Sequence, residues 1–306
     1  MTRYIAVRII QSFLLLIGVL VIVFFMVRLT GDPAALMLSR EATIEQLEAF
    51  REIYGLNRPV HVQFYDYFSG VFRGDLGDSL EFNTPNLGFI LQRMPATIEL
   101  ATAALVIALI IALPLGILAG MFPNTWVDFL ARGLGLAGQT IPSFWLAMIL
   151  IIVVAVNVSW IPTFGRDGLR SLILPSVALG LGGAGQLVRL ARASVLEIRN
   201  QNYIRTAHAK GLSPRQVAIR HIASNAMIPL VSVIGIQYTY LLGGSVYIET
   251  IFSWPGLGSL LENAIQGNDF PLVQAITIFI ALFAILVNLV TDILYMLLDP
   301  RIRYGS

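Results

Sequence analysis

The sequence predicts an all-α integral membrane protein with six transmembrane helices and a small extracytoplasmic domain between the first and the second. Three observations carry this expectation. Of the 306 residues, 57% are hydrophobic and only 12% are charged, against roughly 25% charged in an ordinary soluble domain. Mean hydropathy is +0.77, and so few charges cannot cover a domain this size while the apolar remainder hides in a single core. The charges are also spaced so that six gaps approach or exceed the roughly 20 apolar residues that cross about 30 Å of hydrocarbon.

The first gap, 9–27, lies between Arg8 and Arg28. It is longer than a signal-peptide apolar core of about 7 to 15 residues and is expected to remain as the first span. The others are 100–127, 133–165, 171–188, 221–248 and 270–291, of which the fourth is short and rich in glycine. No segment recurs at a fixed period, so neither a solenoid nor an obvious inverted repeat is expected.

Orientation follows from the basic residues of the short loops. With the N-terminus inside, the inner side holds Arg3, Arg8, Arg132, the run Arg189, Arg192, Arg199, Arg205, Lys210, Arg215 and Arg220, and then Arg301 and Arg303. Short outer loops hold only Arg166 and Arg170, while the last outer loop carries Glu249, Glu262 and Asp269 with no basic residue. The other six arginines are Arg28, at the start of the first outer loop, and Arg40, Arg51, Arg58, Arg73 and Arg93 within 30–95, a segment long enough to escape the positive-inside rule. Both termini are therefore expected in the cytoplasm, and the chain divides into 1–29, the extracytoplasmic segment 30–95, and a core of 96–306 that contains the inner loop 189–225.

Within the outer segment, Thr43-Ile44-Glu45-Gln46 has capping-box spacing, Ile44, Leu47 and Tyr54 recur near helical period, and Gly55 supplies a stop. A second, aromatic-rich helix is expected over 60–72, followed by a turn at Gly74-Asp75-Leu76-Gly77-Asp78-Ser79. The segment is either a solvated linker or a docking and selecting surface. Its length favours the latter, because most connections run about 4 to 6 residues.

The inner loop is the most informative stretch. Asn202 is placed to cap a helix over 203–210, with Tyr203, Ile204 and Ala207 on one face, and Gly211 ends it. Ser213 then caps a second helix, with Pro214 at its first position, Gln216 closing the box and Leu212 stapled to Val217. Ala207, Ala209 and Gly211 keep the corner slim enough for a partner's close approach. The alternative is a basic loop that sets topology and touches anionic lipid.

These residues carry a resemblance. Tyr203-Ile204-Arg205-Thr206-Ala207-His208-Ala209-Lys210-Gly211, with Ile228-Pro229 beyond it, resembles the cytoplasmic coupling loop of ABC importer permeases, whose consensus runs Glu-Ala-Ala, three residues, Gly. Arg205 stands in place of the Glu and Thr206 in place of the first Ala, a substitution similar to that of the dipeptide, oligopeptide and nickel subfamily. Gly31-Asp32-Pro33, Gly74 to Ser79, Pro95-Ala96-Thr97, Leu174-Pro175, Trp254-Pro255-Gly256-Leu257-Gly258 and Leu298-Asp299-Pro300-Arg301 resemble that subfamily's landmarks in order.

The resemblance implies a type I importer in a bacterial or archaeal cytoplasmic membrane. It would be built from this permease, a second related permease, two nucleotide-binding ATPase subunits and an external solute-binding protein. ATP and Mg would act in the partner subunits. Tyr203, Arg205, Thr206, Ala207, Lys210, Gly211 and Leu212 would couple to an ATPase, and Gly74, Asp75, Leu76, Gly77 and Ser79 would dock the binding protein. The cargo implied ranges from dipeptides and oligopeptides to glutathione-like compounds and nickel chelates.

Composition excludes several other functions. There is no cysteine, which removes thiol catalysis, disulfides and cysteine-ligated zinc. The only lysine, Lys210, is flanked by Ala209 and Gly211, so no phosphate-binding loop of the G-x-x-x-x-G-K-[ST] type exists and no ATPase site of this kind is expected. A net charge of +2 gives no argument for a nucleic-acid partner. Gly180-Leu181-Gly182-Gly183-Ala184-Gly185 fits G-x-G-x-x-G but lacks a preceding strand, and Gly116 with Gly120 forms G-x-x-x-G; both read as close helix packing, with Pro114 as a kink. Gln139, Gln237, Asn288 and Asp292 are the candidate polar residues of a translocation path. Asp292 could instead serve proton relay or helix packing. A proton-driven secondary carrier is the rival function, and an intramembrane aspartyl protease fails for want of a second carboxylate inside a span.

Overall fold

The computed structural model describes residues 2–29, 34–35, 38 and 42–298. The landmarks Gly31-Asp32-Pro33 and Asp299-Pro300-Arg301, together with Arg40 and Arg303, lie outside the described residues. Among those described, regular structure is helical apart from one isolated bridge between Asp78 and Pro85. The helices are α1 (Thr2–Leu29), α2 (Ile44–Ile53), α3 (Val60–Phe72), α4 (Asn86–Met121), α5 (Trp126–Thr140) and α6 (Ser143–Leu150), which continues into a π turn at Ile151–Ala155. Next come α7 (Leu169–Arg199), α8 (Asn202–Ala209), α9 (Pro214–Gln216), a π segment Val217–Ala223, α10 (Ser224–Ile251), α11 (Leu257–Gln266) and α12 (Phe270–Leu298). Among the described residues five helices are long and apolar enough to span, and the bent pair α5/α6 has the length and composition of a sixth when its two halves are taken together.

Four expected boundaries move. The second span begins at Asn86, so the division at residue 95 falls inside α4, which runs unbroken through Pro95 and Pro114. Backbone groups in hydrocarbon find partners only within the helix, which favours continuity over a break. The third span is not one helix: α5 and α6 meet at 103°. Pro142 has no N–H to offer and forces Ile141 into extended geometry, with ψ at 115°. Helix α7 runs on to Arg199, so the first part of the expected inner loop is helical, and α9 is not free-standing but leads through the π segment into α10.

By internal contacts the chain forms two compact units. One comprises Thr97–Trp254 with Leu286–Ser306, and the other Thr2–Ala96 with Pro255–Ile285. The first packs around Ala108, Ala112, Ala119, Ala131, Ala184, Leu187, Val188, Ala191 and Leu230. Small residues let its backbones approach: a Cβ on Gly116 would sit 2.6 Å from the Ala191 methyl, and one on Gly120 2.6 Å from Val195. Gly185 of the G-x-G-x-x-G run lies against Gly138 of α5, and its neighbour Gly180 against the Ala104 carbonyl. The run is helix-packing surface within α7.

The second unit holds α3 against α1 through Leu20, Val23, Tyr67, Phe68 and Val71, and through edge-on contact of Phe24 with Phe64 at 5.1 Å. A second cluster gathers Ile90, Leu257, Leu260, Ala264, Leu272, Ala275 and Ile276. Helix α2 forms with its capping box between Thr43 and Gln46, yet it buries no residue, and Ile44 is 78% exposed.

Candidate functional site

The corner after α7 is built from local bonds. Helix α8 starts one residue earlier than expected, after Gln201 in extended geometry and with no side-chain cap, so Asn202 is not the cap; its carbonyl accepts the Thr206 hydroxyl at 3.2 Å. At the other end Gly211 takes φ +80°, its N–H donates to the His208 carbonyl at 3.0 Å, and Leu212 donates to the Ala207 carbonyl at 3.3 Å. These two bonds satisfy carbonyls that a helix end leaves open. Two residues on, the Gln216 N–H donates to Ser213 Oγ at 3.3 Å and the Ser213 N–H to Gln216 Oε1 at 3.1 Å, with Pro214 at the first helical position.

Beneath the corner, Val195, Ile204, Ala207, Val217, Ile222 and Ala226 form a cluster joined by Leu212. This corrects the expected face. Ala207, 7% exposed, and Ile204, 3%, turn inward onto the chain's own core, whereas Tyr203 is 44% exposed. Helical spacing makes 204 and 207 neighbours, and burial selects the smaller, wholly apolar pair. Leu212 is half-buried, so of the seven residues expected to couple those left outward are Tyr203, Arg205, Thr206, Lys210 and Gly211, with His208 and Ala209 exposed beside them. Arg199, exposed at the end of α7, donates to the Met121 carbonyl at 2.9 Å and closes the end of α4.

The sequence reading missed Asp128. Its side chain is wholly enclosed in α5, receives Arg192 of α7 in a fork at 2.5 and 3.1 Å, and takes the Asn124 N–H at 3.0 Å, with Arg132 one turn away at 3.3 Å. The i,i+4 spacing of Asp128 and Arg132 was the available signal. Glu249, expected in an outer loop, is also fully buried; it lies in α10 and accepts the hydroxyls of Thr97 at 2.8 Å and Ser245 at 3.0 Å.

Of the four path candidates, two meet. Gln139 and Gln237 line one cleft of about 460 Å³ with Gln186, Tyr240, Ser143 and Pro142. Gln237 is almost fully buried, and Arg189 donates to Gln139 Oε1 at 2.6 Å, which leaves that amide's NH₂ free to donate. The cleft exists because α5 stops at Thr140, just before Pro142, and because glycines at 138, 182 and 244 leave room. Asn288 does not line it; its carbonyl oxygen faces the Thr239 hydroxyl at 3.5 Å, and Asp292 follows one turn later on α12. Gln186, in the glycine-rich helix, escaped notice because it lies just beyond an apparent packing motif.

In the other unit, the turn after α3 carries Gly74 at φ +82° and Gly77 at +74°. Gly74, Asp75 and Gly77 are exposed and Leu76 is half-buried. Ser79 is not available for docking: it is buried, and its hydroxyl donates to Asp269 Oδ2 at 2.5 Å. The same oxygen accepts the Leu80 and Glu81 N–H groups at 3.1 and 3.3 Å, while Oδ1 accepts Leu272 N–H at 3.2 Å. Asp269, expected as a loop charge, is a buried anchor.

Family models match the chain over residues 1–304. Residues 112–304 match the family described as "Binding-protein-dependent transport system inner membrane component", and residues 1–112 match its N-terminal counterpart. The glutathione transport system permease protein GsiC of Escherichia coli strain K12 is 39% identical over 305 residues, covering 99% of this chain and 100% of that protein. Its counterpart in Salmonella typhimurium strain LT2 is 38% identical over the same coverage. Two inward-facing structures of the MetNI methionine ABC transporter align with TM-scores of 0.58 and 0.59 at 19% identity, covering 69% and 70% of this chain and 96% and 97% of theirs. At that identity the structures speak for the fold.

Proposed function

Since this chain belongs to the family of binding-protein-dependent transport system inner membrane components, the permease subunits of ABC importers, we propose that its exposed corner of Tyr203, Arg205, Thr206, Lys210 and Gly211 seats in a groove of a partner ATPase subunit. Ala207 and Leu212 support that surface from within. The observation that carries this reading is the joining of the corner to two long helices. The cluster ties α8 to the end of α7, and α9 runs through the π segment into α10.

From there the load has a path. Arg192 of α7 grips Asp128 of α5, whose far end bears Gln139, and α10 bears Gln237. A displacement of the corner therefore reaches both walls of the glutamine cleft, which is how ATP binding elsewhere would widen or narrow it. The chain itself hydrolyses no ATP in this reading. Two permeases, two ATPases and one external binding protein complete the importer, with both termini of this chain cytoplasmic and the exposed Gly74, Asp75 and Gly77 facing the binding protein.

The cargo is a small peptide or glutathione-like solute. Amide side chains and a tyrosine hydroxyl pair with peptide groups as donors and acceptors alike, and the relatives named above are glutathione transport permeases. Asn288 and Asp292 belong to helix packing on α12.

The test reconstitutes the importer in vesicles. Arg205→Glu with Lys210→Glu should insert normally and lose the ATPase subunits on purification, or retain them with hydrolysis that no longer responds to liganded binding protein. Uptake at the parent rate with partners retained would refute the coupling role. ATP hydrolysis by the isolated chain, or uptake that survives ATP depletion, would return the proton-driven carrier.

A further inference from the structure

The end of α1 presents a cation with no counter-ion among the described residues. Arg28 sits in its last turn, over the Phe24 ring at 3.5 Å, and donates to the Phe24 carbonyl at 3.1 Å and to Gln63 Oε1 at 2.5 Å. Both acceptors are neutral, and among the described residues no carboxylate lies within ion-pair distance of it. A guanidinium has five N–H donors, so three remain. Beside it, the Tyr67 hydroxyl is buried and finds no partner among the described residues. Burial pushes that phenol above its ordinary value, with Arg28 working against the shift, so the group stays a protonated donor.

Both side chains line a cavity of about 240 Å³ shared with Gln63, Gln274, Arg58 and Asp66. Arg58 and Asp66 pair with each other at 3.2 Å, and Gln63 spends its NH₂ on the Leu56 and Arg58 carbonyls. What is left is one positive charge that no described carboxylate compensates and, on a residue lining the same cavity, one buried hydroxyl without a partner among the described residues. An oxyanion satisfies both, and charge-assisted bonds to it are stronger than neutral ones.

We propose that this cavity binds the phosphate of a phospholipid headgroup. The cavity opens where the span Ala6–Leu29 ends, the depth at which headgroup phosphates are concentrated. The exposed Ile22, Phe25 and Met26 of the same helix offer an apolar track for an acyl chain leading to it. Arg28 and Tyr67 hold the oxyanion, the arginine as a fork and the phenol as a single donor, and the bound lipid fastens α1 to α3.

The test uses the assembled importer, delipidated in detergent and reloaded with phosphatidylglycerol, diacylglycerol or inorganic phosphate, with retained ligand read by native mass spectrometry. The parent should retain phosphatidylglycerol over diacylglycerol. Arg28→Gln should weaken that retention roughly tenfold, and Arg28→Lys less, as expected for losing a charged or a forked donor. Tyr67→Phe guards against a folding artefact: removing a hydroxyl that lacks a partner among the described residues leaves thermal stability unchanged or raised without lipid, yet should reduce phosphatidylglycerol retention about threefold. Parent-like retention in both Arg28→Gln and Tyr67→Phe overturns the site. Inorganic phosphate retained in place of phosphatidylglycerol overturns the lipid source. A gain of retention in Asp32→Asn identifies Asp32 as the native occupant and overturns the proposal likewise.

Discussion

The corner around Gly211 and the turn around Gly77 both hold a glycine at positive φ beside a helix end, and they do so by opposite means. At the corner every stabilising bond spans five residues or fewer: Leu212 to Ala207, Gly211 to His208, Ser213 with Gln216. At the turn the decisive partner, Asp269, lies 190 residues from Ser79. A self-contained corner keeps its shape while the helices beneath it move, which suits a part that receives force. A turn tied to a distant helix holds one shape only while that helix stays in place, which suits a platform.

Substitutions can break this contrast, and the largest effect is expected inside the corner. Ala207→Glu places a charge in the cluster of Val195, Ile204, Val217 and Ile222, and an unpaired buried charge should destabilise by about 3 to 4 kcal/mol. The thermal midpoint should fall and ATPase subunits be lost together, whereas exposed Arg205→Glu should lose the subunits at an unchanged midpoint. Equal midpoints for the two would mean that Ala207 faces outward.

Asp269→Ala comes next. It removes the acceptor of one hydroxyl and three backbone N–H groups, for an expected loss of about 2 to 3 kcal/mol and new proteolytic cleavage near residues 79–83, with ATPase binding intact. If cleavage does not change, the turn is as self-contained as the corner and the contrast fails.

Gly211→Val sharpens the other side. A Cβ at this position would meet nothing within 4 Å, so the effect is backbone strain at φ +80° alone, about 1 to 2 kcal/mol. Gly211→Asn, which tolerates this conformation, should recover most of it in ATPase retention. Ser213→Ala should have the smallest effect, about 1 kcal/mol through loss of the cap, visible as faster amide exchange at Gln216 with transport retained.

The same contrast explains what the sequence discloses. Both capping boxes, the stops at Gly55 and Gly211 and the helix Val60–Phe72 were legible because their causes lie within a few residues. Asp128, Glu249 and Asp269 were not. Each looks like a loop charge in sequence, and only Arg192, Thr97 and Ser79, distant along the chain, make it a buried anchor. The direction of Ala207 was hidden for a related reason: spacing puts it on a face with Ile204 and Tyr203, but which side meets the core depends on Val195 and Ile222 from neighbouring helices. Gln139 and Gln237 stood out as amides in apolar runs, while their convergence on one cleft depended on the break at Pro142.

The unbroken passage from Ser213 to Phe252 has a mechanical consequence. The 38 residues of Pro214–Ile251 make a rod about 57 Å long at about 1.5 Å per residue, nearly twice the roughly 30 Å of hydrocarbon it crosses. Tilting such a rod by about 10° about its midpoint swings each end through about 5 Å. No loop separates its ends, so in the proposed coupling role a small angular step at the corner arrives at the far end as a displacement the size of a side chain, less what the π segment Val217–Ala223 and Pro229 take up.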